Sequence, residues 1–361
     1  MDAGWTLTLD RADLTAAELI DTPVPVAGVG EAVLRVDRVG MTANNVTYAL
    51  LGKAFRYWDF FPAPSPELGI VPLWGFAEVV SSEADGVTVG DRLYGYLPAA
   101  SHLVVTPTRV DARGFRDGSE HRSSLPSAYN AYALTTGDAA YSSADEDLQI
   151  LYRPLFFTSF MLADALQDSD FYGADVLAFS SASSKTSYGA AFLLRESGRR
   201  VVGLTSSGNV EFVRSLGVYD EVVEYGDLRS LAARPTVHLD VAGSSEVRAD
   251  LQAALGDDLV RESIIGVAHQ EKAAAGSLDD PRTVVFFAPD QMRKRTADWG
   301  REGLDERFAS AWASFAPFAR EHVDVVVSTG PEALRSVWLE VLANKSAPRV
   351  GNVIQLERVG L

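Results

Sequence analysis

From Asp175 onward short apolar runs alternate with helical stretches, and this alternation limits the fold more than any other feature of the 361-residue chain. The runs 175–179, 200–204, 222–225, 237–241 and 263–267 have the length and apolar character of buried strands. Helical segments at 189–196 and 210–216 lie between them. Strands joined by crossover helices pair in parallel, so the pattern predicts a doubly wound parallel sheet in an α/β chain.

The first ~100 residues follow a different rhythm. Strand-like runs at 5–9, 31–39, 73–81 and 92–95 are punctuated by Pro23, Pro25, Gly28 and Gly30, and by turns at 83–86 and 90–91. Strands this closely spaced predict a small barrel. Residues 111–150 are polar and turn-rich apart from Tyr129-Asn130-Ala131-Tyr132, and read as long loops. Phe156, Phe160, Leu162, Ala163 and Leu166 then mark one face of a helix. A strand at 323–327, a helix at 331–342 and a strand at 350–356 close the chain.

The main functional signal is Val176-Leu-Ala-Phe179, then Ser180-Ser-Ala-Ser-Ser184, then Lys185-Thr-Ser-Tyr-Gly189. A strand, a loop of very small residues and a helix N-terminus together form an anion site, because unpaired amides and the positive end of the helix face the phosphate. Dinucleotide folds use G-x-G-x-x-G here so that the backbone reaches the pyrophosphate. Only Gly189 is present, and serines stand in with hydroxyls able to donate. Ser181, Ser183, Ser184, Lys185 and Thr186 are the candidate phosphate contacts, with Lys185 adding charge. A serine-rich helix cap explains the same residues without a ligand. Ser184-Lys185-Thr186 also matches the end of a P-loop, with Asp240 as the magnesium-holding acid, but Phe179 and Ser184 stand where its glycines belong.

The end of the second strand bears on which dinucleotide is bound. NAD sites place an acid there for the ribose hydroxyls. Here Thr205, Ser206 and Ser207 follow the strand, and Glu211 is the first carboxylate. A 2′-phosphate meets no repulsion at these hydroxyls, and Arg214 is a nearby cation, so NADPH is favoured over NADH.

Composition removes several classes of chemistry. With no cysteine, the chain has no disulfide, iron–sulfur cluster, thiolate nucleophile or cysteine-ligated zinc. The five histidines show no metal spacing. A formal charge of −17 argues against nucleic acid and anionic membranes as partners. No apolar run reaches the ~18 residues of a membrane span, and the start at Met1 lacks a signal-peptide pattern, so a cytoplasmic protein is expected.

Several stretches resemble the medium-chain dehydrogenase/reductase superfamily, in its zinc-free quinone-oxidoreductase and enoyl-reductase branch. They are GEAVLRVDRVGMTANNVTYALLGK from Gly30, VTVGDRLYGY from Val87, RRVVGLTSSGNVEFVRSLGVYDEVVEY from Arg199, VHLDVAGS from Val237 and GNVIQLERV from Gly351. The third is the most specific, because strand, phosphate cap, helix and SLG turn occur in family order. The resemblance implies a GroES-like β-barrel domain over 1–160 with an insert at 111–155, a Rossmann domain over 161–322, and a return to the first domain over 323–361. It implies NADPH bound in the cleft between domains. Trp74-Gly-Phe-Ala-Glu78 replaces the GHE-type motif of zinc-dependent members, so no metal is expected.

A metal-free reductase needs hydrogen-bond donors where substrate oxygen gains charge. The resemblance places Asn44, Asn45 and Tyr48 there as candidate catalytic residues. Tyr57, Trp58, Tyr129, Thr158 and Phe287 are candidate pocket residues, and core packing explains the aromatic ones equally well. Tyr225, Val241, Gly266 and Asn352 complete the expected cofactor contacts, and residues 291–295 and 298–300 are expected to cap the site. The implied function is NADPH-dependent, zinc-independent reduction of an enone, quinone or related small carbonyl compound, with a homodimer as the candidate assembly. The alternatives are a non-redox ligand sensor and a lyase that uses a Tyr or Lys base.

Overall fold

The computed structural model describes residues 4–231, 234–265, 280–345 and 347–356. The chain divides into two units, one up to Leu151 and again from Val323, the other Tyr152–His322.

The first unit begins with β1 (Gly4–Asp10), β2 (Ala17–Thr22) and β3 (Ala32–Met41), followed by helix α1 (Ala43–Leu50). Then come β4 (Leu68–Gly69), β5 (Pro72–Ser82), β6 (Arg92–Pro98), β7 (His102–Val105), β8 (Pro107–Asp111), β9 (Gly114–Asp117) and β10 (Ala131–Leu134). Helix α2 (Glu146–Asp168) carries the chain into the second unit.

Residues 111–150, expected as loops, instead extend the main sheet, where β10, β9 and β8 continue outward from β6. These strands have only four or five residues, too few for alternation to register in the sequence. Gly114, at φ +126°, lets β9 approach β10, since a Cβ there would lie 2.0 Å from Tyr132 O. Arg122 and Asp117 form a buried ion pair at 3.2 Å behind these strands. Arg122 Nη1 also donates to Tyr132 Oη at 3.2 Å.

The second unit is built from β11 (Val176–Phe179), α3 (Lys185–Leu194), β12 (Arg200–Thr205), α4 (Val210–Ser215), β13 (Glu221–Glu224), β14 (Thr236–Asp240), α5 (Ser245–Leu255), β15 (Leu259–Ile265), β16 (Thr283–Phe286) and α6 (Ala288–Glu321). Its strands are all parallel, in the order β13-β12-β11-β14-β15-β16. The chain starts mid-sheet, winds to one edge and returns to build the other. Doubly wound sheets collect ligands where that direction reverses, at the carboxyl ends of the strands. β11 and β14 are buried along their whole length, which explains their uninterrupted apolar runs. Of the run expected at 263–267, residues 266 and 267 lie outside the described residues.

Two helices differ from expectation. α2 starts near 146 rather than 156, because Leu148, Ile150 and Leu151 are buried behind a polar first turn. α6 spans 34 residues with a break at Gly300. Its buried stripe of Leu304, Phe308, Trp312, Phe315 and Ala319 is diluted by charged residues. The segments expected as a cap lie on this helix, where Arg295 pairs with Asp164, Asp168 and Asp298. The last elements, β17 (Asp324–Thr329), α7 (Pro331–Leu342) and β18 (Val350–Gln355), belong to the first unit, with β18 joining β3. Among the described residues no helix is long and apolar enough to cross a membrane.

A buried polar pair lies inside the parallel sheet. His238 Nδ1 on β14 is 2.8 Å from Glu262 Oε1 on β15. Ionised Glu262 has no proton to give, so Nδ1 carries the hydrogen. Gln252 and Thr283 each donate to Glu262 Oε2 at 2.9 Å. Burial pushes the Glu262 carboxyl up, but the bonds from His238, Thr283 and Gln252 outweigh it and hold the carboxyl below its usual range. A depressed carboxyl adds stability above its unfolded value of 4.5, and that stability is lost as pH falls through the folded value. Glu262→Gln is therefore expected to lose about 1–3 kcal/mol at neutral pH. Urea unfolding across pH is expected to show the gap from wild type narrowing below pH 4.5; a gap that does not change with pH contradicts the assignment.

Candidate functional site

The loop between β11 and α3 lies at the carboxyl edge of the parallel sheet, and serine hydroxyls hold it in place. Ser180 is fully buried, and its Oγ donates to Asp240 Oδ1 at 3.0 Å. The same oxygen accepts from the Val241 and Ala242 amides at 3.0 and 3.1 Å. Ser187 Oγ donates back to Ser180 O at 2.9 Å. Ser181 takes a left-handed φ of 49°, the single such residue between β11 and α3, and its amide donates to Tyr225 Oη at 2.8 Å. Tyr219 Oη donates to Ala182 O at 2.9 Å. Side-chain bonds thus hold a turn for which glycines would supply only conformational freedom.

This arrangement divides the candidate serines. Ser184 is the cap of α3, accepting from Ser187 N at 3.2 Å, so its hydroxyl serves the helix rather than a phosphate. The Val241 amide is likewise engaged internally, by Ser180. Ser181 and Ser183 remain partly exposed on the loop. As the first residues of the helix, Lys185 and Thr186 have amides with no intrahelical acceptor. The Thr186 carbonyl accepts from Ser159 Oγ of α2 at 2.8 Å. A Cβ on Gly189 would meet the same Ser159 Oγ at 2.8 Å, so the one retained glycine serves close helix packing.

Lys185 Nζ sits 5.5 Å from the centre of the Tyr152 ring. Lys185 makes no ion pair among the described residues. Burial alone pulls its ammonium down to about 8. A half-buried cation with no counter-ion among the described residues, beside helix amides that have no intrahelical acceptor, favours an incoming anion.

Asp240 does not serve as a P-loop acid. It is buried, pairs with Arg248 at 2.8 Å and accepts from Ser180 and from the Gly243 amide. At the end of β12, Thr205 is buried and its Oγ1 has no hydrogen-bond partner among the described residues. Ser206 accepts from Asn209 at 3.3 Å, Ser207 is exposed, and Arg214 is exposed on α4. Gly266 lies outside the described residues. Asn352 is on β18 of the first unit, opposite Met41 of β3.

In the first unit, aromatic rings gather around Tyr48 of α1. Tyr48 Oη accepts from Asn44 Nδ2 at 2.8 Å and from Trp74 Nε1 at 3.2 Å. Tyr57 lies 4.6 Å from the Tyr48 ring, and Tyr129 lies 4.7 Å from that of Tyr96. Burial pushes the Tyr48 phenol up and Tyr129 adds to this, while the bonds from Trp74 and Asn44 pull it back. Tyr96 Oη is buried without a hydrogen-bond partner among the described residues.

Asn45 is not part of this group. Its Oδ1 accepts from Thr42 N at 2.7 Å, and its Nδ2 donates to Pro72 O at 2.9 Å, so both ends of the amide brace the start of α1. Trp58 is also corrected: it packs flat against Gly52 and Gly69, where any Cβ would collide with its ring. Thr158 bonds its own helix at Pro154 O, and Phe287 lines a cavity of the second unit. Neither belongs to the tyrosine group. Trp74 was missed as a donor to Tyr48 and Tyr96 as a ring of this group, although Trp74 opens the segment that replaces the zinc motif. Ser180 and Ser187 were missed because their partners are remote in sequence.

No curated protein matches the chain in sequence. Solved structures match it along its length. CurA from Vibrio vulnificus in complex with NADPH aligns with a TM-score of 0.64 at 13% identity, covering 98% of this chain and 99% of that one. The quinone oxidoreductase from Coxiella burnetii aligns at 0.58 and 13%, covering 99% and 100%. CurK enoyl reductase aligns at 0.54 and 14%, also covering 99% and 100%. These likenesses show the fold, a GroES-like domain with a Rossmann domain, as in medium-chain dehydrogenase/reductase structures. Residues 39–347 also match a family model, and the chain belongs to that family, described as a protein of unknown function, DUF2855.

Proposed function

We propose that the chain is an NADPH-dependent oxidoreductase that reduces a small conjugated carbonyl compound, an enone or quinone-like molecule. The observation that carries this reading is Lys185, a half-buried ammonium at the N-terminus of α3 with no counter-ion among the described residues. Ser181, Ser183, Lys185 and Thr186 would hold the pyrophosphate. Thr205, whose hydroxyl has no partner among the described residues, would meet the ribose 2′-phosphate, and Arg214 would add charge to offset Glu224, which lies opposite Thr205 on β13. A structural precedent is CurA, crystallised with NADPH. When bound, the cofactor supplies the hydride.

The first unit supplies the polarising group. Tyr48 Oη already accepts two hydrogen bonds, which fill its lone pairs and leave its own hydrogen to be donated. That hydrogen is offered to the substrate oxygen as charge develops there. The donors on Tyr48 also stabilise the phenolate if the proton moves fully, so Asn44 and Trp74 act through Tyr48 as positioning residues. Tyr57, Trp74 and Tyr129 present ring faces and edges suited to a planar conjugated substrate.

Titration of the chain with NADPH, followed by fluorescence, is expected to give micromolar binding, weakened about tenfold or more in Lys185→Met. A group pulled down to about 8 is an ammonium below that pH, so affinity is expected to decline as pH rises beyond 8. Absence of dinucleotide binding overturns the reading and leaves the non-redox sensor. A second expectation concerns turnover with an enone or quinone panel. Tyr48→Phe is expected to lower kcat about 10²-fold with KM little changed. Unaltered kcat in a folded Tyr48→Phe variant removes Tyr48 from the reaction.

A further inference from the structure

The second unit contains a cavity of about 200 Å³, and none of its lining residues comes from the serine loop. Leu162 and Leu166 of α2, with Val284 and Phe286 at β16, form an apolar part of a lining that is polar overall. Arg261 of β15 is its cation. The guanidinium carbon lies 4.1 Å from the centre of the Tyr172 ring. Stacking covers the face of the guanidinium and leaves its edge donors in plane. Arg261 makes no ion pair among the described residues, and its Nε is buried without a hydrogen-bond partner.

The other polar groups at the cavity are already matched or neutral. Asp290 pairs with Arg293 at 2.7 Å, and Gln291 donates to Asp164. Ser263, two residues beyond Arg261 on the same face of β15, adds a hydroxyl. The backbone before β11 is shaped to present Tyr172. Asp170, Phe171 and Tyr172 take φ values of 45°, 53° and 54°, followed by Gly173 at 75°. A left-handed run of residues bearing Cβ atoms is sterically unfavourable, and here it sets one ring against Arg261. Phe171 is buried, which anchors the turn.

We propose that this cavity binds a small organic carboxylate with an apolar body. The carboxylate takes the free edge of Arg261 in a forked pair of charge-assisted bonds, and the body lies against Leu162, Leu166, Val284 and Phe286. The volume is below the ~300–1,000 Å³ of pockets for larger ligands, so the class is a single-ring or medium-chain monocarboxylate. An inorganic anion would satisfy Arg261 and leave Leu162, Leu166, Val284 and Phe286 uncovered. The assignment does not depend on the cofactor reading of the serine loop.

The test titrates benzoate, octanoate and inorganic phosphate separately into the full chain by calorimetry. Saturable binding of benzoate or octanoate is expected, weakened about tenfold or more in Arg261→Gln and partly kept in Arg261→Lys. Thermal melting of each variant reports its fold. On the wild-type chain, benzoate or octanoate is expected to protect Arg261 from phenylglyoxal, read by peptide mass spectrometry, which needs no variant. Binding of neither carboxylate, binding of phosphate alone, undiminished affinity in folded Arg261→Gln, or no protection of Arg261 overturns the proposal.

Discussion

The hydroxyl of Ser180 is the contact on which the candidate cofactor site depends. One buried oxygen donates to Asp240 and accepts from two amides after β14, while the Ser180 carbonyl accepts from Ser187 on α3. Two strand ends and a helix are thereby tied at a single residue. Such loops usually reach this geometry with glycines, which allow close backbone approach but make no bonds of their own. Here side-chain hydrogen bonds fix the path. Ser184 caps the helix, and the amides of Lys185 and Thr186 have no intrahelical acceptor at its tip.

The electrostatics follow from that geometry. The formal charge of −17 disfavours a polyphosphate at long range, so a phosphate site needs local compensation. Lys185 would supply it, and because burial lowers its ammonium, a nearby anion would restore the charged form. In the first unit, Tyr48 is prepared in a complementary way, with two donors directed at its oxygen and its own hydrogen left to give. Each unit thus carries a polar group poised by its neighbours rather than by a metal ligand set.

Much of this was legible in the sequence. Buried parallel strands are apolar on both faces, so the runs at β11, β12 and β14 stood out, and the helix at 331–342 matched because Gly330 and Pro331 mark its start. The strand–serine–helix order at β11 and α3 was visible for the same reason. What stayed hidden depended on distant partners. Serines at 180, 181, 184 and 187 look alike in sequence, yet Asp240 and Tyr225 decide which brace the loop and which remain available. Asn45 looked catalytic beside Asn44, and only the carbonyl of Pro72 shows that it is a brace. Short strands at 107–134 and the charge-rich helix α6 were missed because neither carries a clean period.

A crystal structure of the chain grown with NADPH tests the central claim most directly. The account predicts the pyrophosphate against the Lys185 and Thr186 amides, with Lys185 Nζ turned from the Tyr152 ring onto a phosphate oxygen and the 2′-phosphate at Thr205. A structure at saturating NADPH in which the serine loop contacts no phosphate and Lys185 stays on Tyr152 would contradict it.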